Sequence, residues 1–247
     1  MKTDRGSCVK TDRGSCVKTD RGSCVKTGRG YCVKTGRGSC VKTDRGSCVK
    51  TDREGDSGMD AGSLKPKRIK KDETVLVVID LQERMIPAMR DGAGAVAEAV
   101  KLIKGVLAIG CPVLVTQQYT KGLGGSVTEV KEAFETFEHI EKSSFSVMGE
   151  EGFRESLKAT GRKSVILCGV EAHVCVLQSA LDMLEAGYDV FLAIGAISSR
   201  KGIDEESAIK RMIHAGVTPT TVESALFELL DNDSKSDTFK TISRLVK

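Results

Sequence analysis

Two stretches of the chain leave little choice of fold. Thr74-Val-Leu-Val-Val-Ile79 is a near-continuous apolar run rich in β-branched residues, and Lys163-Ser-Val-Ile-Leu167 is a shorter run of the same kind. A strand with one wet face alternates apolar and polar side chains. A strand without alternation must be covered on both faces, which is the condition of a central strand in a parallel sheet. Each run is followed by polar residues and then by apolar residues at helical spacing.

The rest of the chain from residue 74 repeats this alternation. Ala93–Gly110 reads as a helix with Val96, Val100, Ile103 and Leu107 on one stripe and Gly110 as its stop. Strands are expected at Pro112–Thr116, His139–Lys142, Tyr188–Ala193 and Val217–Val222, the last at an edge because of Pro219. Between them, Val127–Phe137 reads as helical or irregular. Gly152–Ala159, Val174–Ala186 and Asp204–Ala215 read as helices, the last with Asp204 as its cap. Two further helices, at 223–230 and 237–246, close the chain. Single strands alternating with helices predict a three-layer α/β/α sandwich around a mainly parallel six-stranded sheet.

The N-terminal quarter is a different kind of sequence. Residues 2–49 are six copies of Lys-Thr-Asp-Arg-Gly-Ser-Cys-Val, with Gly28 and Gly36 replacing Asp and Tyr31 replacing Ser. One large aliphatic residue and one Cys per octad cannot offset an ordering entropy of roughly 1–2 kcal/mol per residue. Residues 1–58 are therefore expected to be disordered, residues 59–73 to form a linker, and residues 74–247 to form one domain. The repeat reads as a tandem expansion in the gene, and synthesis from Met59 would leave it out. Its cysteines recur every eight residues, whereas metal ligands normally cluster two to four apart.

Charge divides the same way. Residues 1–58 carry 14 Lys and Arg against 7 Asp and Glu, a net of +7, and the remaining 24 against 27 give −3. The body is thus mildly acidic and has no Trp, which argues against a nucleic-acid partner. No apolar run approaches the roughly 20 residues needed to cross a bilayer. With no secretory signal at the start, the expected compartment is the cytoplasm, with the mitochondrion as alternative.

In a sheet of this type ligands bind beyond the carboxyl ends of the strands. Three chemically able residues fall there. Asp80 follows the first strand, and a carboxylate there needs a partner or serves as a helix cap. Lys142 ends the third, where spacing alone favours a solvated side chain. Cys175 follows the fourth, just inside a helix start, where positive potential lowers a thiol's pKa. The Gly-rich Gln117–Gly125 loop lacks the spacing of a phosphate-binding loop and reads as a pocket loop with Tyr119 as a wall. Cys111, at a strand start, reads as inert packing.

The blocks VVIDLQERM (77–85), VTQQYTKGLGGSV (115–127), EKSSFSVM (141–148) and GVEAHVCV (169–176) together resemble the isochorismatase-like cysteine hydrolases, in particular the eukaryotic isochorismatase domain-containing proteins. The resemblance implies a triad: Cys175 as nucleophile, Asp80 as proton acceptor and donor, Lys142 holding both. It also implies a cis peptide at Val170–Glu171 that turns the N–H groups of Glu171 and Cys175 into an oxyanion hole. Gln118, Tyr119, Phe145 and His173 are the candidate substrate contacts, with a structural hydrogen bond as the other role for His173. Amidase relatives hold a metal through Asp-x-His after the second strand. Here the position reads Gln117-Gln-Tyr119, so no metal and no other cofactor is expected. The turn has Ala172 where relatives often have Thr. True isochorismatases lack the nucleophilic Cys, so isochorismate itself is not the expected substrate.

The function expected is therefore hydrolysis of a small-molecule amide or related C–N bond through an acyl-enzyme, in a homo-oligomer. The alternative is a catalytically silent interaction protein on the same scaffold. A nitrilase is disfavoured, because that family uses Glu as base and a two-sheet sandwich.

Overall fold

In a computed structural model of the protein, residues 67–247 are described throughout. Ahead of them it describes only six short strands of the repeat: Cys8–Lys10, Cys16–Lys18, Ser23–Thr27, Tyr31–Thr35, Cys40–Lys42 and Cys48–Lys50. These pair antiparallel in chain order, with Val opposite Val at every step. The remainder of residues 1–66, and with it most of the expectation of disorder, lies outside the described residues.

The body is built on six strands: β1 (Thr74–Ile79), β2 (Val113–Gln118), β3 (Ile140–Lys142), β4 (Ser164–Val170), β5 (Asp189–Ser198) and β6 (Thr218–Thr220). Their order is β6-β5-β4-β1-β2-β3, and every pairing is parallel. The two uniformly apolar runs are the two central strands, every residue of which is buried. Pro219 does lie on an edge strand.

Alternation along β1 and β4 divides the interior into two cores. Leu76, Val78, Ile166, Cys168 and Val170 enter one, against α1 (Gly92–Ile109), α7 (Val222–Leu230) and α8 (Asp237–Leu245). Val75, Val77, Ile79, Val165 and Leu167 enter the other, against α4 (Glu151–Ala159), α5 (Leu177–Glu185) and α6 (Gly202–Ala215). Each fully buried Val, Leu or Ile contributes roughly 1.5–3 kcal/mol, so both faces of β1 need their helical cover. Two short helices, α2 (Thr120–Leu123) and α3 (Thr128–Lys131), lie between β2 and β3.

α1 begins at Asp91, whose carboxylate accepts from Gly94 N at 3.0 Å, and stops at Gly110 with φ 89°. α1 and α7 approach so closely that a Cβ at Gly105 would lie 2.4 Å from Leu226 Cδ2. Ile69, from the stretch expected to be linker, is buried, and its N–H donates to Glu228 Oε2 at 3.1 Å.

Three local expectations need correction. β5 runs on to Ser198 rather than ending at Ala193. Leu167 pairs with Leu192 but Gly169 with Ile197, so extra β5 residues are looped out of register, and Gly195 hid the continuation. Asp204 does not cap α6: the cap is Lys201, with no side-chain bond, and Asp204 lies in the first turn. The helix expected from Val174 starts as a π-turn, Ala172–Val176, before α5 takes over. Among the described residues no helix is long and apolar enough to cross a membrane.

Candidate active site

β1 and β4 pair through Gly169 and Ile79, and a Cβ at Gly169 would lie 2.0 Å from Ile79 O. Only glycine permits this approach, which lays the ends of the two central strands side by side. β1 ends at Asp80, which adopts φ 52° and is fully buried. Its Oδ1 accepts from Thr116 Oγ1 at 2.9 Å, a residue on neighbouring β2. Its Oδ2 lies 2.7 Å from Lys142 Nζ. That contact is an ion pair that misses the angles of a hydrogen bond.

Lys142 is not solvated, contrary to what its spacing favours. It is 2% exposed, because the site supplies everything an ammonium needs. Nζ donates to Gln118 Oε1, to Ser144 O at 3.1 Å and to Phe145 O at 3.2 Å, and it lies 3.6 Å from Cys175 Sγ. A buried cation with a counter-ion and carbonyl partners is tolerated where an unpaired one is not.

The two carbonyls come from a loop shaped by Glu150. Its Oε1 accepts from Ser143 N and Ser144 N, both at 2.8 Å, and from Ser144 Oγ at 2.7 Å. These bonds hold the Glu150 carboxyl at about 2, below the ordinary carboxylate range. Gln118 Nε2 ties the same loop through Ser143 O at 3.0 Å. Gln118 itself is positioned by the buried Gln82, whose Oε1 accepts from Gln118 N at 2.7 Å.

Cys175 sits in the π-turn, 4% exposed. Its thiol lies 3.7 Å from Gln118 Oε1, and the charge of Asp80 acts on it. The helix start was expected to lower the thiol's pKa. Instead burial, and then the Asp80 charge, push it up to about 12, against the opposing pull of Lys142. Burial also raises Asp80. The thiol is therefore protonated in the resting site. Ser179 links the turn to the Glu150 loop, donating to Cys175 O at 2.6 Å and accepting from Val147 N at 3.0 Å.

The Val170–Glu171 peptide is cis, and Glu171 N donates to no carbonyl among the described residues. An open pocket of about 440 Å³ leads to Cys175. Tyr119 and Phe145 wall it, and both are more than half exposed. Met85, Met89, Leu123 and Val174 add apolar lining. Gln118 lines it too, although its amide is committed to Lys142 and the loop. His173 does not line it: its Nδ1 is 3.0 Å from Ser199 Oγ, the structural role open to it.

Sequence reasoning missed the rim charges of Arg84 and Arg200, and that the carboxylate of Glu171, expected only for its N–H, joins them. It also missed the supports Gln82, Thr116, Glu150 and Ser179. Gln82 and Arg200 are polar residues just past a strand end; Thr116 inside β2, Ser179 inside α5 and Glu150 carried no such signal. Among the described residues no three His, Cys, Asp or Glu side chains cluster as metal ligands.

Comparison with known proteins points one way. Residues 74–224 match the isochorismatase domain. A secreted isochorismatase effector of Phytophthora sojae is 37% identical over 190 residues, 73% of this chain and 87% of that protein. Isochorismatase domain-containing protein 2 of Danio rerio is 36% identical over 72% of this chain and 89% of its own length. Among solved structures, MAR1 ribonuclease of Caenorhabditis elegans superposes with a TM-score of 0.68 at 35% identity, over 73% of this chain and 92% of that one. YcaC of Escherichia coli, described as an octameric hydrolase of unknown specificity, gives 0.68 at 27% identity, again over 73% and 92%.

Proposed function

The chain belongs to the isochorismatase family, and from that premise we propose that it hydrolyses a small-molecule amide or related C–N bond through Cys175, Asp80 and Lys142. The observation that carries the proposal is a buried ammonium that reaches both a carboxylate and a thiol at the floor of an open pocket.

Cys175 Sγ attacks the carbonyl carbon while its proton passes to Asp80. The thiol's high pKa makes that transfer part of the attack rather than a prior ionisation. The carbonyl oxygen becomes an oxyanion beside the N–H groups of Glu171 and Cys175. As the intermediate collapses, the C–N bond breaks and Asp80 returns the proton to the leaving nitrogen. Water then attacks the thioester and gives a proton to Asp80; the S–C bond breaks, the acid product leaves, and Asp80 passes that proton to sulfur to restore the thiol. Lys142 holds the carboxylate and sulfur in register throughout. No step needs a metal or organic cofactor.

Tyr119 and Phe145 would flank the substrate, and Gln118 would act on it only through Lys142 and Cys175. We place the protein in the cytoplasm, where a free thiol persists; Cys111, Cys168 and Cys175 are all unpaired. It would work as a homo-oligomer, as the octameric YcaC does.

The test is an amide panel with wild type and Cys175→Ala, together with iodoacetamide labelling at neutral pH. Loss of turnover and of labelling at residue 175 is expected. One observation favours a second reading, a silent scaffold: the thiol is deeply buried and its pKa high. An unlabelled Cys175 and an inert panel would establish that reading instead.

A further inference from the structure

The rim of the pocket carries a charge pattern that the triad chemistry does not use. Arg84, in the turn after β1, and Arg200, in the loop after β5, reach the same pocket from different parts of the chain. Arg200 Nε donates to Glu171 Oε2 at 2.7 Å. Arg84 donates one N–H to Gly122 O at 2.7 Å and meets no carboxylate among the described residues. A guanidinium has five N–H donors in a planar fork, so each arginine keeps donors unspent. Two positive charges against the single negative charge of Glu171 leave the rim at +1. Asp80 and Lys142 cancel one another beneath it. Below the rim the walls are apolar and aromatic.

We propose that this pocket selects a substrate carrying one carboxylate, bound by Arg84 and Arg200 at the rim while its C–N bond reaches Cys175. The +1 rim matches a singly charged carboxylate better than a doubly charged phosphate, and the fork geometry fits a planar two-oxygen group. Glu171 serves two parts of the site: its N–H faces the reacting centre and its carboxylate holds Arg200. This inference rests on Cys175 being the reactive thiol.

Iodoacetate and iodoacetamide test it without knowledge of the substrate. Both form an S–C bond with the thiol and expel iodide as the thiol proton leaves; they differ in carrying a carboxylate or a neutral amide. Rates at Cys175, mapped by peptide mass spectrometry at low salt, give a ratio to compare with 2-mercaptoethanol. The ratio is expected to favour iodoacetate over that reference. It should fall about two- to five-fold in each of Arg84→Gln and Arg200→Gln, and fall with added salt. Arg68→Gln, which removes the same charge away from this pocket, should keep the wild-type ratio. A wild-type ratio equal to that of mercaptoethanol, or one unmoved by both pocket variants, overturns the carboxylate and leaves the nucleophile standing. If neither reagent labels Cys175, the nucleophile falls, and this inference with it.

Discussion

Cys168 and Cys175 lie seven residues apart on one strand and its following turn, and burial pushes both thiols to about 12. Their surroundings differ completely. Cys168 is sealed in the core, and among the described residues its thiol makes one hydrogen bond, to Val77 O at 3.9 Å. Cys175 meets Lys142, Gln118 and Asp80 and borders an open pocket. A resting pKa therefore does not identify a nucleophile. What distinguishes Cys175 is a base that can take its proton as the new bond forms, and a cation that can hold the thiolate.

The sharpest way to break this contrast is to remove the base. Asp80→Asn keeps the shape and leaves Cys175 as isolated as Cys168. Turnover and Cys175 alkylation should fall on the order of 10³-fold or more. Labelling of Asp80→Asn at the wild-type rate would show that the carboxylate is not the base. Next comes the cation. Lys142→Met strands Asp80 as an unpaired buried charge and should cost about 3–5 kcal/mol in urea unfolding. Combining it with Asp80→Asn should restore most of that loss, and a double variant as unstable as the two losses added would refute the pairing.

Cys168→Ala probes the other side of the comparison. Deleting a core sulfur with no reacting partner should cost about 1 kcal/mol of stability and leave kcat unchanged; a drop in kcat would mean that Cys168 supports the site after all. The smallest effect concerns Glu150. Its carboxyl falls from 4.5 to about 2 on folding, so its contribution is complete above pH 4.5 and is lost as pH falls towards 2. Near the surface that contribution should stay below about 1 kcal/mol. Urea unfolding of Glu150→Gln against wild type should show a gap at pH 6 that closes by pH 2. A gap that persists at pH 2 would assign the effect to something other than ionisation.

How much of this could be read in advance follows from range in sequence. β1 and β4 were legible because a strand buried on both faces shows it in every residue. Gly110 was legible because a helix stop is local. Lys142 was not readable from periodicity: a strand-end lysine is usually wet, and only the surrounding motif brought it to the site. Its burial depends on Asp80, on Gln118 and on carbonyls fixed by Glu150, side chains scattered across some seventy residues. The π-turn carrying Cys175 left no trace in helical spacing, and Arg84 and Arg200 share a rim only because the sheet brings two loops together.

Lys142 has three N–H groups and five neighbours within reach: Asp80, Gln118, Ser144 O, Phe145 O and Cys175. Such an ammonium works as a swivel. When Asp80 becomes neutral and sulfur becomes negative, a small turn about Cε–Nζ moves all three N–H groups together and can bring one closer to sulfur. The positive charge, 2.7 Å from Asp80 Oδ2 and 3.6 Å from Cys175 Sγ, serves either negative charge without leaving its place. Solvent has no rearranging to do, so the site can stay dry while its charge moves.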